Sequence, residues 1–89
     1  MKTIEECREE LNELDPIIKE LFIKRMKIVK DVALYKKANG MEVFDSIREK
    51  QMIQKLSNNI ESELKEYYLR FLNDLLIVSK DYQKEVIKD

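Results

Sequence analysis

A chain of 89 residues has room for one small domain. With a single glycine, a single proline, 39% charged residues and neither tryptophan nor histidine, it describes helices rather than a sheet. Seventeen basic residues against eighteen acidic ones leave no basic footprint for nucleic acid, and the apolar runs are far too short to span a membrane. No signal peptide is expected before the first helix, a lone Cys7 points to a reducing cytoplasm, and one cysteine without histidine is too poor a set for a structural zinc site.

The first element is announced by Ile4, Cys7, Leu11, Leu14, Ile18, Leu21, Arg25, Ile28, Val32 and Tyr35, which recur in alternating steps of three and four. That is the seam of a long amphipathic helix, expected from about Thr3 to Ala38. Asn39-Gly40 supplies its stop, because glycine takes a left-handed cap freely. Asp15-Pro16 reads two ways. As cap and first helical position it starts a new helix. As an interruption in a seam that keeps its phase from Leu14 to Ile18, it bends one helix and forfeits the bond to the Asn12 carbonyl. The kept phase favours one bent helix. Roughly 50 Å of helix outruns the rest of the chain, so the seam is expected to find a second copy.

Arg25 stands in that seam where its neighbours are apolar. A buried guanidinium is costly unless an anion meets it, so Arg25 belongs to a binding site or to a buried ion pair. Lys36 lies eleven residues further on, within roughly 20° on the helix and about 16 Å along it. Two long side chains at that spacing can grip the ends of a small anion. Arg8 lies 17 residues before Arg25, about 25 Å away and roughly 100° around the helix. It cannot share a site with Arg25 of its own chain, but an antiparallel helix pair brings one chain's start to the other's middle.

Residues 37–44 are expected to connect, with Met41, Val43 and Phe44 folding back as a partial lid. The second helix runs from about Ser46 to Leu56, opened by the S-x-x-E pattern from Ser46 to Glu49, with Asp45 also able to cap. Ile47, Met52, Ile53 and Leu56 point inward, while Asp45, Arg48 and Glu49 share one face. Ser57-Asn58-Asn59 breaks the helix. The third runs from about Ile60 to Ile87, with Leu64, Tyr67, Tyr68, Phe71, Leu72, Leu75, Leu76, Val78 and Tyr82 on its apolar faces. Ser79 and Gln83 continue the Leu72, Leu76 stripe with two uncharged hydrogen-bonding groups. Singly, these residues have plainer readings. Arg48 with Asp45 or Glu49 makes a solvated pair worth little, Ser79 and Gln83 are exposed near a helix end, and Arg8 and Lys36 are surface charges.

As a set, in this order on a long, a short and a long helix, Arg8, Arg25, Lys36, Asp45, Arg48, Glu49, Ser79 and Gln83 resemble the all-helical, type II chorismate mutases of the AroQ class. CREELNELDPIIKELFIKRM followed by DVALYK looks like that family's first helix, FDSIRE like the start of its second, and SKDYQ like its closing Ser-x-x-x-Gln. Pro16 departs from the pattern. The resemblance implies an all-α fold of three helices over residues 1–89, intertwined as a homodimer, with each site completed by the partner's Arg8. It implies the Claisen rearrangement of chorismate to prephenate, on the route to phenylalanine and tyrosine in the cytoplasm, without metal or other cofactor. In that scheme Arg25 and the partner's Arg8 clamp two carboxylates, assisted by Ser79 and Arg48. Lys36 and Gln83 donate to the ether oxygen, and Glu49 with the Asp45 backbone holds the ring hydroxyl. Gln83 donates without being protonated, so no acid pH is required.

Three rivals stand beside the mutase: an isochorismate pyruvate lyase, a non-catalytic regulatory module of the same fold, and a plain coiled-coil dimer. Glu49 and Gln83 together favour the mutase, and a coiled coil leaves Arg25, Ser79 and Gln83 without a purpose. No segment for end-product regulation is expected. The surface leaves room for docking to another shikimate-pathway enzyme.

Overall fold

The computed structural model describes residues 1–88; Asp89, the last residue of the expected domain, lies outside them. The described residues form three helices and no strand: α1 (Ile4–Ala38), α2 (Ser46–Leu56) and α3 (Ser62–Ile87).

α1 opens with a capping box. The Thr3 hydroxyl accepts from the Glu6 amide at 3.1 Å, and the Glu6 carboxylate accepts from the Thr3 amide at 3.4 Å. Glu5 and Glu6 in the first turn and Lys36 and Lys37 in the last complement the helix dipole. Pro16 lies inside the helix without breaking it, so the kept phase of the seam was the better guide than the Asp-Pro signal. At the far end the Asn39 amide donates to the Tyr35 carbonyl at 3.1 Å and the Met41 amide to the Lys36 carbonyl at 2.8 Å. Gly40 turns between them at φ +62°, where an L side chain is strained.

The two candidate caps of α2 are resolved in favour of Asp45. Its carboxylate accepts from the Arg48 amide at 3.0 Å, and Ser46 is the first helical residue. A carboxylate is favoured at the positive end of a helix, and this choice frees Glu49 from the cap. α3 starts two residues later than expected. Asn59 takes a left-handed turn at φ +59°, which asparagine tolerates, and Ile60 and Glu61 lie outside the helix.

α3 is the hub: it packs against both α1 and α2, which do not pack on each other. The core is Val29, Ala33, Val43, Leu72 and Leu76. Within one chain, burial is narrower than the apolar pattern of the helices. α1 meets α3 through Val29 and Ala33, while Leu11, Leu14, Ile18, Leu21, Ile28 and Tyr35 of the seam are half exposed or more. Ile47 and Leu56 of α2 are exposed as well, as are Leu64, Tyr67, Phe71 and Val78 of α3. The expected lid reduces to Val43, since Met41 and Phe44 are exposed. No described helix is long and apolar enough to cross a membrane.

Candidate active site

Where the C-terminal half of α1, the start of α2 and the end of α3 converge, they enclose a cavity of about 280 Å³. Its apolar wall is Ile28, Val29, Val32, Val43, Met52 and Leu76; its polar wall is Arg25, Lys36, Asp45, Arg48, Glu49, Ser79, Lys80 and Gln83. Seven of the eight residues singled out from sequence therefore meet at one place. Arg8 does not line the cavity and is exposed.

Ser79 and Gln83 are buried, at 4% and 8% exposure, which sets aside their reading as surface polar groups. Buried polar groups need partners, and α1 supplies them. The Arg25 guanidinium donates to the Ser79 hydroxyl, which in turn donates to the Leu75 carbonyl at 2.8 Å. The Lys36 ammonium donates to Gln83 Oε1 at 3.1 Å and to the Val43 carbonyl at 2.8 Å. An ammonium only donates, so the amide oxygen of Gln83 must face it. That leaves the Gln83 NH₂ and the third Lys36 N–H for an acceptor in the cavity.

Arg25 meets a neutral hydroxyl, and no carboxylate pairs with it among the described residues. Its pKa is held below the ordinary arginine value, first by burial and then by repulsion from Arg48. It stays protonated nonetheless. Two guanidinium groups facing one cavity are arranged for an anion from outside the chain.

Lys80 is a cavity residue that the sequence-derived set lacks. Its ammonium sits 3.2 Å from Glu49 Oε2 and 4.8 Å from the centre of the Phe44 ring. A signal was there: Lys80 lies four residues after Leu76, in the same stripe as Ser79 and Gln83. A lysine there passes as a solvated residue. With it the cavity wall carries four cationic side chains against two carboxylates, a net charge of +2.

Small volume, a partly apolar wall and a surplus of cationic and hydrogen-bonding donors suit an all-helical protein to bind a compact organic anion. The family model for chorismate mutase type II matches residues 7–84, a span that takes in every site residue from Arg8 to Gln83. The chain belongs to that family, and its enzymatic activity is that of a chorismate mutase, an isomerase. No curated protein and no solved structure matches the chain.

Proposed function

We propose that this cavity converts chorismate to prephenate for phenylalanine and tyrosine biosynthesis, and that the working unit is a homodimer in which Arg8 of each chain completes the other's site. The observation that carries this reading is the pair of cross-helix contacts, Arg25 to buried Ser79 and Lys36 to buried Gln83, on the wall of a cavity with a net charge of +2.

The rearrangement is intramolecular, so no protein group forms a bond to the substrate. The protein has two tasks. It holds a flexible dianion in the compact conformer where the two carbons that will join are in contact, and it meets the negative charge that grows on the ether oxygen as the C–O bond stretches ahead of C–C formation. Arg25, helped by Arg48 and by the partner's Arg8, suits the first task by anchoring the carboxylates. Lys36 and Gln83 suit the second. They are hydrogen-bonded to each other, and Lys36 also donates to the Val43 carbonyl, so their free N–H groups need little reorganisation when the charge appears. Glu49 accepts from the ring hydroxyl. Gln83 stays a donor at any pH, and this scheme needs no acid conditions.

The dimer is supported by what one chain leaves open. The α1 seam stays largely exposed on a body 55 × 26 × 15 Å in extent, a continuous apolar strip of the kind that marks an interface. Arg8 lies on that same helix, away from the cavity of its own chain.

Purified protein with chorismate is the test, following the loss of ultraviolet absorbance and identifying the product after acid treatment. Rapid loss with phenylpyruvate on acidification is the expected result. Inertness toward chorismate, with pyruvate and salicylate formed from isochorismate, would replace the proposal by a pyruvate lyase.

A further inference from the structure

We infer that Lys80 is a positioning residue that sets substrate affinity through Glu49, an inference that rests on the cavity being the chorismate site. Its ammonium straddles the Glu49 carboxylate, 3.4 Å from Oε1 and 3.2 Å from Oε2. The two side chains retain only 25% and 19% of their exposure, so the pair is not the solvated kind that contributes almost nothing. A second anchor, the Phe44 ring under the ammonium, holds the cation from the other side. Phe44 immediately precedes the Asp45 cap, and Glu49 follows in the first turn of α2. Lys80 therefore fastens α3 to both flanks of the α2 N-terminus.

The consequence for binding follows from what else Glu49 could do. The same cavity holds Arg25, Lys36 and Arg48. A carboxylate released from Lys80 would swing onto the nearest guanidinium and neutralise a group that should meet the substrate. By occupying one side of Glu49, Lys80 keeps the remaining lone pairs open to the ring hydroxyl and the arginines open to the carboxylates.

Lys80→Met keeps the unbranched stem and removes the ammonium. It is expected to raise KM for chorismate roughly tenfold, the scale of one charge-assisted hydrogen bond, while kcat stays within about threefold, because no donor to the ether oxygen is lost. Lys80→Arg is expected to restore KM to within about threefold of the unmodified enzyme. In a Glu49→Gln background the Lys80→Met change is expected to add little, because the two residues act as a unit. An unchanged KM in Lys80→Met would overturn the inference. So would a Lys80→Arg enzyme as impaired as Lys80→Met, which would make the role one of packing. A full tenfold loss added on top of Glu49→Gln would overturn it too, making Lys80 a direct substrate contact. Unmodified protein that turns chorismate over while these variants behave otherwise defeats this inference alone. Unmodified protein that does not turn chorismate over defeats the underlying reading and this inference with it.

Discussion

Lys36 is the residue on which the proposed chemistry depends most. It reaches from α1 across to Gln83 on α3 and to the Val43 carbonyl of the connecting segment, and two of its three donors are committed to the protein. The third is aimed by the other two. Lys36→Ala removes a fixed donor from the ether oxygen and leaves the Gln83 amide free to rotate. A loss of about 10² to 10³ in kcat is expected, the scale for one preorganised donor. Steady-state kinetics of that variant check it, and a near-normal kcat would take Lys36 out of the role. Arg25 illustrates the opposite side of the same design. Burial and the facing Arg48 guanidinium lower its pKa, so folding disfavours its charge. Protonated throughout the accessible pH range, it carries that cost independently of pH, and the natural relief is a bound anion.

At the scale of the helix, α1 tolerates Pro16 because the helix on both sides is continuous and its surroundings are exposed. The Asn12 carbonyl loses its amide partner, and water can replace it there. Pro16→Ala restores the bond and is expected to stabilise the fold by up to about 3 kcal/mol, read as a higher denaturation midpoint in urea with an unchanged slope. Catalysis should be unaffected, since Pro16 is more than two turns from Arg25. A destabilised variant would mean that the proline shapes α1 for its packing. α2 is the weaker element. Its 11 residues are too few to hold a helix alone, and it relies on the Asp45 cap, on half-buried Met52 and Ile53, and on the Glu49–Lys80 bridge. Half of the polar wall of the cavity, Asp45, Arg48, Glu49 and Lys80, is borne by this short helix, its cap and the lysine that ties it down.

The whole molecule is elongated, and its single-chain core is small. Five buried apolar residues are a thin core for a chain of this length, and the exposed apolar strip along α1 is larger than the buried one. In the proposed dimer that strip is covered, and Arg8 reaches the second cavity. Sedimentation should report a dimer. Mixing an Arg8→Ala chain with an Arg25→Ala chain, each inactive alone, should restore roughly a quarter of the native activity. Random pairing gives that figure, with half the dimers mixed and each holding one intact site. Absence of any recovery in a demonstrated heterodimer would refute the shared site.

Much of this protein is legible locally. The three helices, their stops at Gly40 and Asn59, and the passage through Pro16 follow from periodicity and caps, which depend on residues no more than a few positions apart. So does the alignment of Ser79 and Gln83 on one stripe of α3. What periodicity cannot settle is which of two adjacent apolar faces turns inward. α1 carries both Ile28 with Val32 and Val29 with Ala33, and only contact with α3 selects the second pair as the buried one. The same holds for Asp45 over Ser46 as the cap, for the direction of the Gln83 amide, and for Lys80, whose meeting with Glu49 joins residues 31 positions apart. Helical spacing is a property of the chain alone. Partner choice between helices is decided by which side chains fit and satisfy one another once the helices meet, and that information exists only in the tertiary structure.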